Sequence, residues 1–470
     1  MARAKKEAAL TPEERLQAAL VPDWEWPYKL PENWCWTYLG SPIRWGSGGT
    51  PSRKNPDYYD GDIPWIKTGE LNDEVIVQTE EHISQEAVKS SSAKLFPINT
   101  VAIAMYGATI GKTGIIGIPA TTNQACACGV CSSAVYYKYL FYYAQSQKEA
   151  FIKKGKGGAQ PNISQEIIKG HEFPLAPLAE QQRIVDRIES LFAKLDEAKE
   201  KAQTVLDSFE TRKAAILHKA FTGELTKKWR DNNRTSDSHL ENISECDYVP
   251  QNECPCNLPE NWKWVRLGAL GYTNIGLTYS PKDKSEHGTI VLRSGNIQNG
   301  LMDYADVVRV DMKIPENKMC NKGDILICAR NGSKSLVGKT AIVDADGMSY
   351  GAFMAIFRSK YNPFIYYFLN SHFFRDLIDQ DVGTTTINQV TQAIIKNLAF
   401  PFAPEQEQAE IVYILDNLLA KEQQAKQAAE AVLEKIDLMK KAILARAFRG
   451  ELGTNDPNDE PAVELLKKII

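Results

Sequence analysis

Gly107-Ala108-Thr109-Ile110-Gly111-Lys112-Thr113 places glycines, a lysine and a hydroxyl residue in nearly the order that cradles nucleotide phosphates. It is one residue short between the glycines, and the corresponding stretch later in the chain, Gly332 to Gly338-Lys339-Thr340, is one too long. A phosphate loop must also open a helix, so that its amides and helix N-terminus face the anion. Here Gly114-Ile115-Ile116-Gly117-Ile118-Pro119 follows, which cannot start one. A hairpin turn with a lysine near its tip is the better reading, and such a lysine can meet a DNA phosphate. An amino-methyltransferase would need an Asn/Asp-Pro-Pro-Tyr/Phe loop to hold a flipped base. The nearest match, Asn55-Pro56-Asp57-Tyr58, has Asp57 in place of the second proline and reads as a turn. Cys128-Gly129-Val130-Cys131, with Cys126 nearby, has the spacing of half a zinc site, but no second pair lies at a usual distance. Cys254-Pro255-Cys256 falls between the repeats described below, and neither a His-Glu-x-x-His nor a Gly-x-Ser-x-Gly signature occurs. The chain is therefore expected to carry no catalytic residue, metal site or cofactor site of its own.

Two loops rich in cations, hydroxyls and amides are a different case. Lys153-Lys154-Gly155-Lys156-Gly157-Gly158-Ala159-Gln160-Pro161-Asn162 clusters cations with glycines and amides before a helix, and Gly383-Thr384-Thr385-Thr386-Ile387-Asn388-Gln389 is its counterpart. Amides and hydroxyls can read base edges while lysines hold phosphates; a solvated turn with a helix cap is the plainer alternative. The residues expected to contact DNA are Lys112, Lys153, Lys154, Lys156, Gln160 and Asn162 in the first half. Arg330, Asn331, Lys334, Lys339, Thr384, Asn388 and Gln389 are expected to do so in the second. Trp34 and Trp36, echoed by Trp262 and Trp264, sit two apart and share one strand face. Their recurrence at the same place marks them as core anchors rather than base-stacking platforms.

The elements that must position these residues follow from an internal repeat. Leu30-Pro31-Glu32-Asn33-Trp34-Cys35-Trp36 recurs as Leu258-Pro259-Glu260-Asn261-Trp262-Lys263-Trp264, and Ala220-Phe221-Thr222-Gly223-Glu224-Leu225 as Ala447-Phe448-Arg449-Gly450-Glu451-Leu452, at an offset of about 227. Two copies of so long a unit imply a duplicated domain pair related by a pseudo-twofold axis, not a solenoid. Residues 30–176 and 258–403 alternate short β-rich runs with Gly, Pro, Asn and Ser turns, and read as two mixed β-rich globular domains. The first is about neutral by count and the second about +3. Residues 1–29 are an N-terminal extension, 226–257 a polar, flexible linker and 453–470 a tail.

Residues 177–225 and 404–452 each enter through prolines and then run without them, so both are long helices. In the first, Ile184, Ile188, Leu191, Leu195, Ala198, Ala202, Val205 and Phe209 make a heptad seam. In the second the seam runs Ile411, Leu415, Leu418, Ala425, Ala429, Val432, Ile436, Met439 and Ile443, with Glu422 as the one clear break. About 44 residues make a rod of roughly 65 Å, so each helix needs a partner, and the other is the economical one. The expected fold is α+β, with an antiparallel coiled coil that serves as a ruler between the two domains.

Of 470 residues, 43% are hydrophobic and 24% charged, which excludes a disordered chain, and no apolar run approaches the length of a membrane helix. Nine cysteines argue against a disulfide framework, and the basic start lacks the apolar core of a signal peptide, so the expected location is cytoplasmic. A net charge of -4 means that nucleic-acid binding must come from local patches.

Taken in order, these features resemble the specificity subunit of type I restriction-modification systems. The resemblance runs from about Leu30 to Leu452. It rests on Pro174-Leu175-Ala176-Pro177 with Glu180-Gln181-Gln182-Arg183-Ile184-Val185, and on Pro401-Phe402-Ala403-Pro404 with Glu407-Gln408-Ala409-Glu410-Ile411-Val412. The helix exits and Asn162-Ile163-Ser164 match as well, whereas the extension before Leu30 departs from the pattern. The resemblance implies that each domain reads one half of a bipartite, asymmetric double-stranded DNA target and that the helices set the spacer. It further implies two docked methyltransferase subunits that carry S-adenosylmethionine and methylate adenine N6, and restriction subunits that use ATP and magnesium. The subunit itself would be non-catalytic. The alternative from another class is a non-catalytic coiled-coil protein that bridges DNA or protein surfaces.

Overall fold

A computed structural model of the chain describes residues 11–155, 162–233, 237–376 and 389–470. It divides into two compact units, one built from the chain up to Ala202 together with Ala431–Ile470, the other from Gln203–Glu430. Each unit therefore holds one β-rich domain and part of both long helices, Leu178–Phe221 and Glu405–Ala447.

In the first unit, Thr100–Ala104 is buried at every position and forms the centre of a five-stranded sheet. The strand order is Ile43–Ser47, Cys126–Cys131, Thr100–Ala104, Thr113–Ile116, Glu74–Ile76. Ile63–Ile66 pairs antiparallel with His82–Ile83 and parallel with Thr121–Thr122 in a smaller sheet. Cys35–Tyr38 pairs with Glu172–Leu175, with Trp36 opposite Pro174, so the domain's first strand closes on its last just before the helix begins. Trp36, Tyr139, Phe151 and Phe173 fill the core with Ile184, Val185 and Ile188 of the first long helix, Leu444 of the second and Phe448 just past its end. The Phe448 ring meets Tyr139 and Tyr143 edge-on at 5.2 and 5.1 Å. Burial of such a ring contributes about 2–3 kcal/mol, enough to tie the helix end to this domain.

The second unit repeats the plan. Tyr272–Ile275, Met354–Arg358, Ile325–Cys328 and Thr340–Ile342 form an antiparallel sheet with the order of the first four strands above. Among the described residues, the fifth strand, Glu74–Ile76, has no counterpart in it. Lys263–Arg266 pairs with Ala399–Phe402, and Trp264 lies opposite Pro401. Trp262, Phe364, Phe368 and Phe400 pack with Leu217 and Phe221 of the first helix and Ile411 and Leu415 of the second.

The described residues of the segment expected to be a flexible linker, 226–233 and 237–257, include helical turns and packed side chains. Lys227–Asn232 is helical, and Val249 donates its amide to the Trp264 carbonyl at 3.0 Å. In the first unit Val21 does the same to Trp36, also at 3.0 Å. The N-terminal extension is thus the repeat counterpart of the linker's second half, which the polar composition of 226–257 concealed. Gly223 and Gly450, both with left-handed φ, end the helices against Pro259 and Pro31 respectively.

Antiparallel pairing is present within each unit. In the second, Lys426 lies over the Phe209 ring at 4.8 Å and Arg212 meets Glu422, so the two helices run in opposite senses. In the first, Lys440 lies over Phe192 at 5.0 Å and pairs with Asp196 at 2.5 Å. Of the positions expected to form the seam, Ile184, Ile188, Ala202 and Phe209 are buried, as are Ile411, Leu415, Ala429 and Ile436; Ile184, Ile188, Ile411 and Leu415 belong to the cores of the two domains. Leu191, Leu195, Ala198, Val205, Leu418 and Ile443 are half-buried. Val432 and Met439 are 40% and 49% exposed, and Ala425 is exposed too. The seam of the second helix runs one residue later at these three places, through Lys426, Leu433 and Lys440. Two of them are lysines whose stems pack while the ammonium groups lie over rings, which a search for apolar residues passes over.

Candidate nucleic-acid interface

Both domains build the same frame at the end of the central strand. In the first, Met105 donates to the Ala125 carbonyl at 2.9 Å and accepts from Ile163 at 2.9 Å, which brings Tyr106 into a β-bridge with Asn162. In the second, Ala329 donates to Phe353 at 3.0 Å and accepts from Val390 at 2.7 Å, and Arg330 bridges Gln389. The chain then turns back, through Gly111 and Gly338 with φ of 75° and 82°, to Lys112 and Lys339. Both lysines are half-buried. Gly107–Thr109 is a single 3-10 turn, and the strand Thr113–Ile116, not an α-helix, follows it.

A second turn faces this frame. Ile66-Lys67-Thr68-Gly69-Glu70-Leu71 and Leu292-Arg293-Ser294-Gly295-Asn296-Ile297 are equivalent: Asn123 donates to the Ile66 carbonyl and Gly351 to that of Leu292, each at 2.9 Å. The amides of Lys67 and Arg293 are capped by Glu70 Oε2 at 2.7 Å and Asn296 Oδ1 at 2.9 Å. In the second domain Asn331 Nδ2 donates to Ser294 Oγ at 3.2 Å, joining the two turns. Between them lies a cleft of about 1130 Å³, lined by Lys284, Arg293, Ser294, Gly295, Arg330 and Asn331 among others. The Arg330 guanidinium sits 5.3 Å over the ring of Phe353, which is 60% exposed. An exposed cation stacked on an exposed ring offers both a phosphate contact and a flat face for a base.

The electrostatics differ between the domains. In the first, Arg53 and Lys67 both hydrogen-bond to Glu81, whose carboxyl is pulled down to about 2. Arg53 also covers Tyr59 at 4.0 Å. In the second, Arg293 pairs with Asp306 at 2.9 Å, while Lys284 and Arg330 add positive charge to the cleft.

The expected contact residues divide accordingly. Asn162 and Gln389 are held in the frame, Arg330 and Asn331 line the cleft, and Lys153 and Lys334 are exposed. Lys154 does not stand alone: its ammonium lies 2.8 Å from His171 Nδ1 and 3.2 Å from Glu172 Oε2. Lys156, Gln160, Thr384 and Asn388 lie outside the described residues. The Lys67 and Arg293 turns went unnoticed in the sequence, although they stand at the offset of the repeat and could have been found by extending its comparison inward. Trp34 and Trp262 are buried, and each donates its indole N–H to a buried carboxylate, Glu180 at 2.7 Å and Glu407 at 2.9 Å.

A model of the family described as type I restriction modification DNA specificity domain matches residues 33–206 and again 259–435. The chain belongs to that family. Each match covers one β-rich domain and runs on into a long helix, as the specificity-domain repeat here does. Among curated relatives, the EcoR124I/EcoR124II specificity subunit of Escherichia coli is 30% identical over 154 residues, 32% of this chain and 38% of that subunit. The EcoKI specificity subunit of Escherichia coli strain K12 is 30% identical over 222 residues, 45% of this chain and 48% of its own. The match thus spans less than half the length of either of these two relatives. The HsdS subunit from Thermoanaerobacter tengcongensis shares the fold, with a TM-score of 0.62 at 20% identity over 91% of this chain and 99% of that one. Among the described residues no helix is long and apolar enough to cross a membrane.

Proposed function

We propose that this chain is the sequence-specific DNA-binding subunit of a type I restriction-modification complex, each recognition domain reading one half of a bipartite, asymmetric target. The observation that carries the reading is one frame displaying different side chains. Where the first domain presents Tyr106 beside Asn162, the second presents Arg330 beside Gln389. Arginine favours guanine N7 and O6, whereas a tyrosine and an amide read by stacking and by adenine-type contacts. A duplicated scaffold with unlike readers suits two unlike half-sites.

In this reading the paired helices set the spacer between the half-sites and dock two methyltransferase subunits. Those subunits carry S-adenosylmethionine and methylate adenine N6; restriction subunits with ATP and magnesium add cleavage. The chain itself is not an enzyme, and it acts in the cytoplasm, where the DNA is. Single-molecule mapping of N6-methyladenine in the host genome, with the gene intact and deleted, tests this. Loss of one split motif on deletion is the expected result; an unchanged map in cells that express the protein and its methyltransferase overturns the reading. Insertion of four residues near Ala202 is expected to change the spacer of the methylated motif.

A further inference from the structure

Glycine recurs at corresponding positions of the two repeats: Gly40 and Gly268, Gly48 and Gly276, Gly69 and Gly295, Gly111 and Gly338, Gly223 and Gly450. All of these pairs but one have a reason inside the chain. A Cβ on Gly40 or Gly268 would stand 3.0 Å from the Cβ of Lys169 or Lys396. On Gly48 it would fall 1.8 Å from the Thr122 carbonyl oxygen, and on Gly276 2.2 Å from that of Gly351. Gly111, Gly338, Gly223 and Gly450 have left-handed φ, where a side chain is strained.

Gly69 and Gly295 share neither reason. Their φ lies outside the left-handed region, and a Cβ on either would meet no atom of the chain within 4 Å. Both are exposed at the tips of the equivalent turns, and both follow a cation and a hydroxyl residue, Lys67-Thr68 and Arg293-Ser294. The cations are occupied sideways, by Glu80 and Glu81 in one turn and Asp306 in the other. What is exposed at the tip of each turn is the bare backbone of the glycine. Gly295 also lines the cleft that holds Lys284, Arg330 and Asn331. A glycine required neither by conformation nor by packing within the chain fits a place where something outside it comes close to the backbone.

We infer that the sugar-phosphate backbone of the DNA packs against Gly69 in one domain and Gly295 in the other, closely enough that one methyl group would intervene. This rests on the DNA-reading function proposed above and adds to it a contact that positions the duplex without reading sequence.

The test is Gly69→Ala and Gly295→Ala, made singly in the full-length chain. Binding is measured on a duplex carrying the mapped target and on an unrelated duplex of equal length, beside the melting temperature. The expected result is a melting temperature equal to or above the parent's, because alanine restricts the unfolded chain. It is accompanied by a loss of about tenfold or more in affinity for both duplexes, the size of one charge-assisted hydrogen bond. Unchanged affinity overturns the inference, and a lowered melting temperature overturns its premise that the chain does not need these glycines. Loss confined to the target duplex overturns it in favour of a base contact. If the parent prefers the target no more than the unrelated duplex, the proposed function fails, while the backbone contact is still judged on the unrelated one.

Discussion

Arg212 Nε donates to Glu422 Oε2 at 2.8 Å inside the paired-helix seam, and the same guanidinium reaches back to the Val205 carbonyl at 3.3 Å. The carboxylate that interrupts the apolar pattern of the second helix is therefore met by a cation from the first. A polar pair in a seam disfavours helix registers that leave either member facing an apolar neighbour.

Removal of one member is expected to cost more than removal of both. Arg212→Ala leaves a half-buried carboxylate without its cation and is expected to lower stability by about 2 kcal/mol. Arg212→Leu with Glu422→Leu is expected to equal or exceed the parent. Urea denaturation of the two variants and the parent measures both, and a double variant weaker than Arg212→Ala would contradict this account.

Glu180 and Glu407 occupy equivalent buried places but have different neighbours. Glu180 accepts from Trp34 at 2.7 Å, Asn455 at 2.9 Å and Thr454 at 3.3 Å, all neutral donors. Glu407 accepts from Trp262 and Thr226 and forms an ion pair with Arg230. Glu407→Gln strands a largely buried cation and is expected to cost about 3 kcal/mol, against about 1 kcal/mol for Glu180→Gln. Thermal denaturation of the two variants should rank them in that order.

His171 gives the first unit an acid-sensitive point. Burial, and next the Lys154 ammonium 2.8 Å away, hold its pKa well below the usual histidine range, and Glu172 opposes this only in part. The folded protein keeps the ring neutral where the unfolded chain would protonate it. Its contribution is therefore complete above about pH 6.5 and is lost as the pH falls toward the folded-state value, by at most about 1.4 kcal/mol per unit. His171→Gln is expected to flatten that limb of the stability profile between about pH 6.5 and about pH 5.

The cations of the interface should separate by readout. Lys153→Glu is expected to weaken binding to all DNA and reduce the salt slope by about 1, with the fold intact. Lys154→Glu is expected to lower the melting temperature as well, since it places a second carboxylate beside Glu172. Arg330→Gln is expected to relax one half-site by about 1–3 kcal/mol and Tyr106→Ala to affect only the other, as read by binding to single-base variants of the target.

The duplication, both long helices and the tryptophan anchors were legible because each rests on a strong periodic or repeated signal. Asn162 and Gln389 stand out as a pair in the sequence because the repeat aligns them, and the structure pairs them with Tyr106 and Arg330. Other features were hidden for identifiable reasons. Lys426 and Lys440 sit in the seam through their alkyl stems, so an apolar template slid by one residue onto Ala425 and Met439. Val249 and Val21 donate backbone bonds to Trp264 and Trp36 and are buried beside the strands that carry them, which composition does not register. The Lys154 ion pair with Glu172 bridges two elements that only the fold brings together.

The division into units also sets an order of manufacture. Residues 203–430 form one uninterrupted stretch, so the second unit can close as soon as it has left the ribosome. The first waits, although its recognition domain is made earlier. Until residues 431–470 emerge, the faces of Tyr139 and Tyr143 that will meet Phe448 have no cover, and Glu180 lacks Thr454 and Asn455. The domain translated first is completed last, and until then the nascent chain carries an unfinished apolar surface of the kind that chaperones bind.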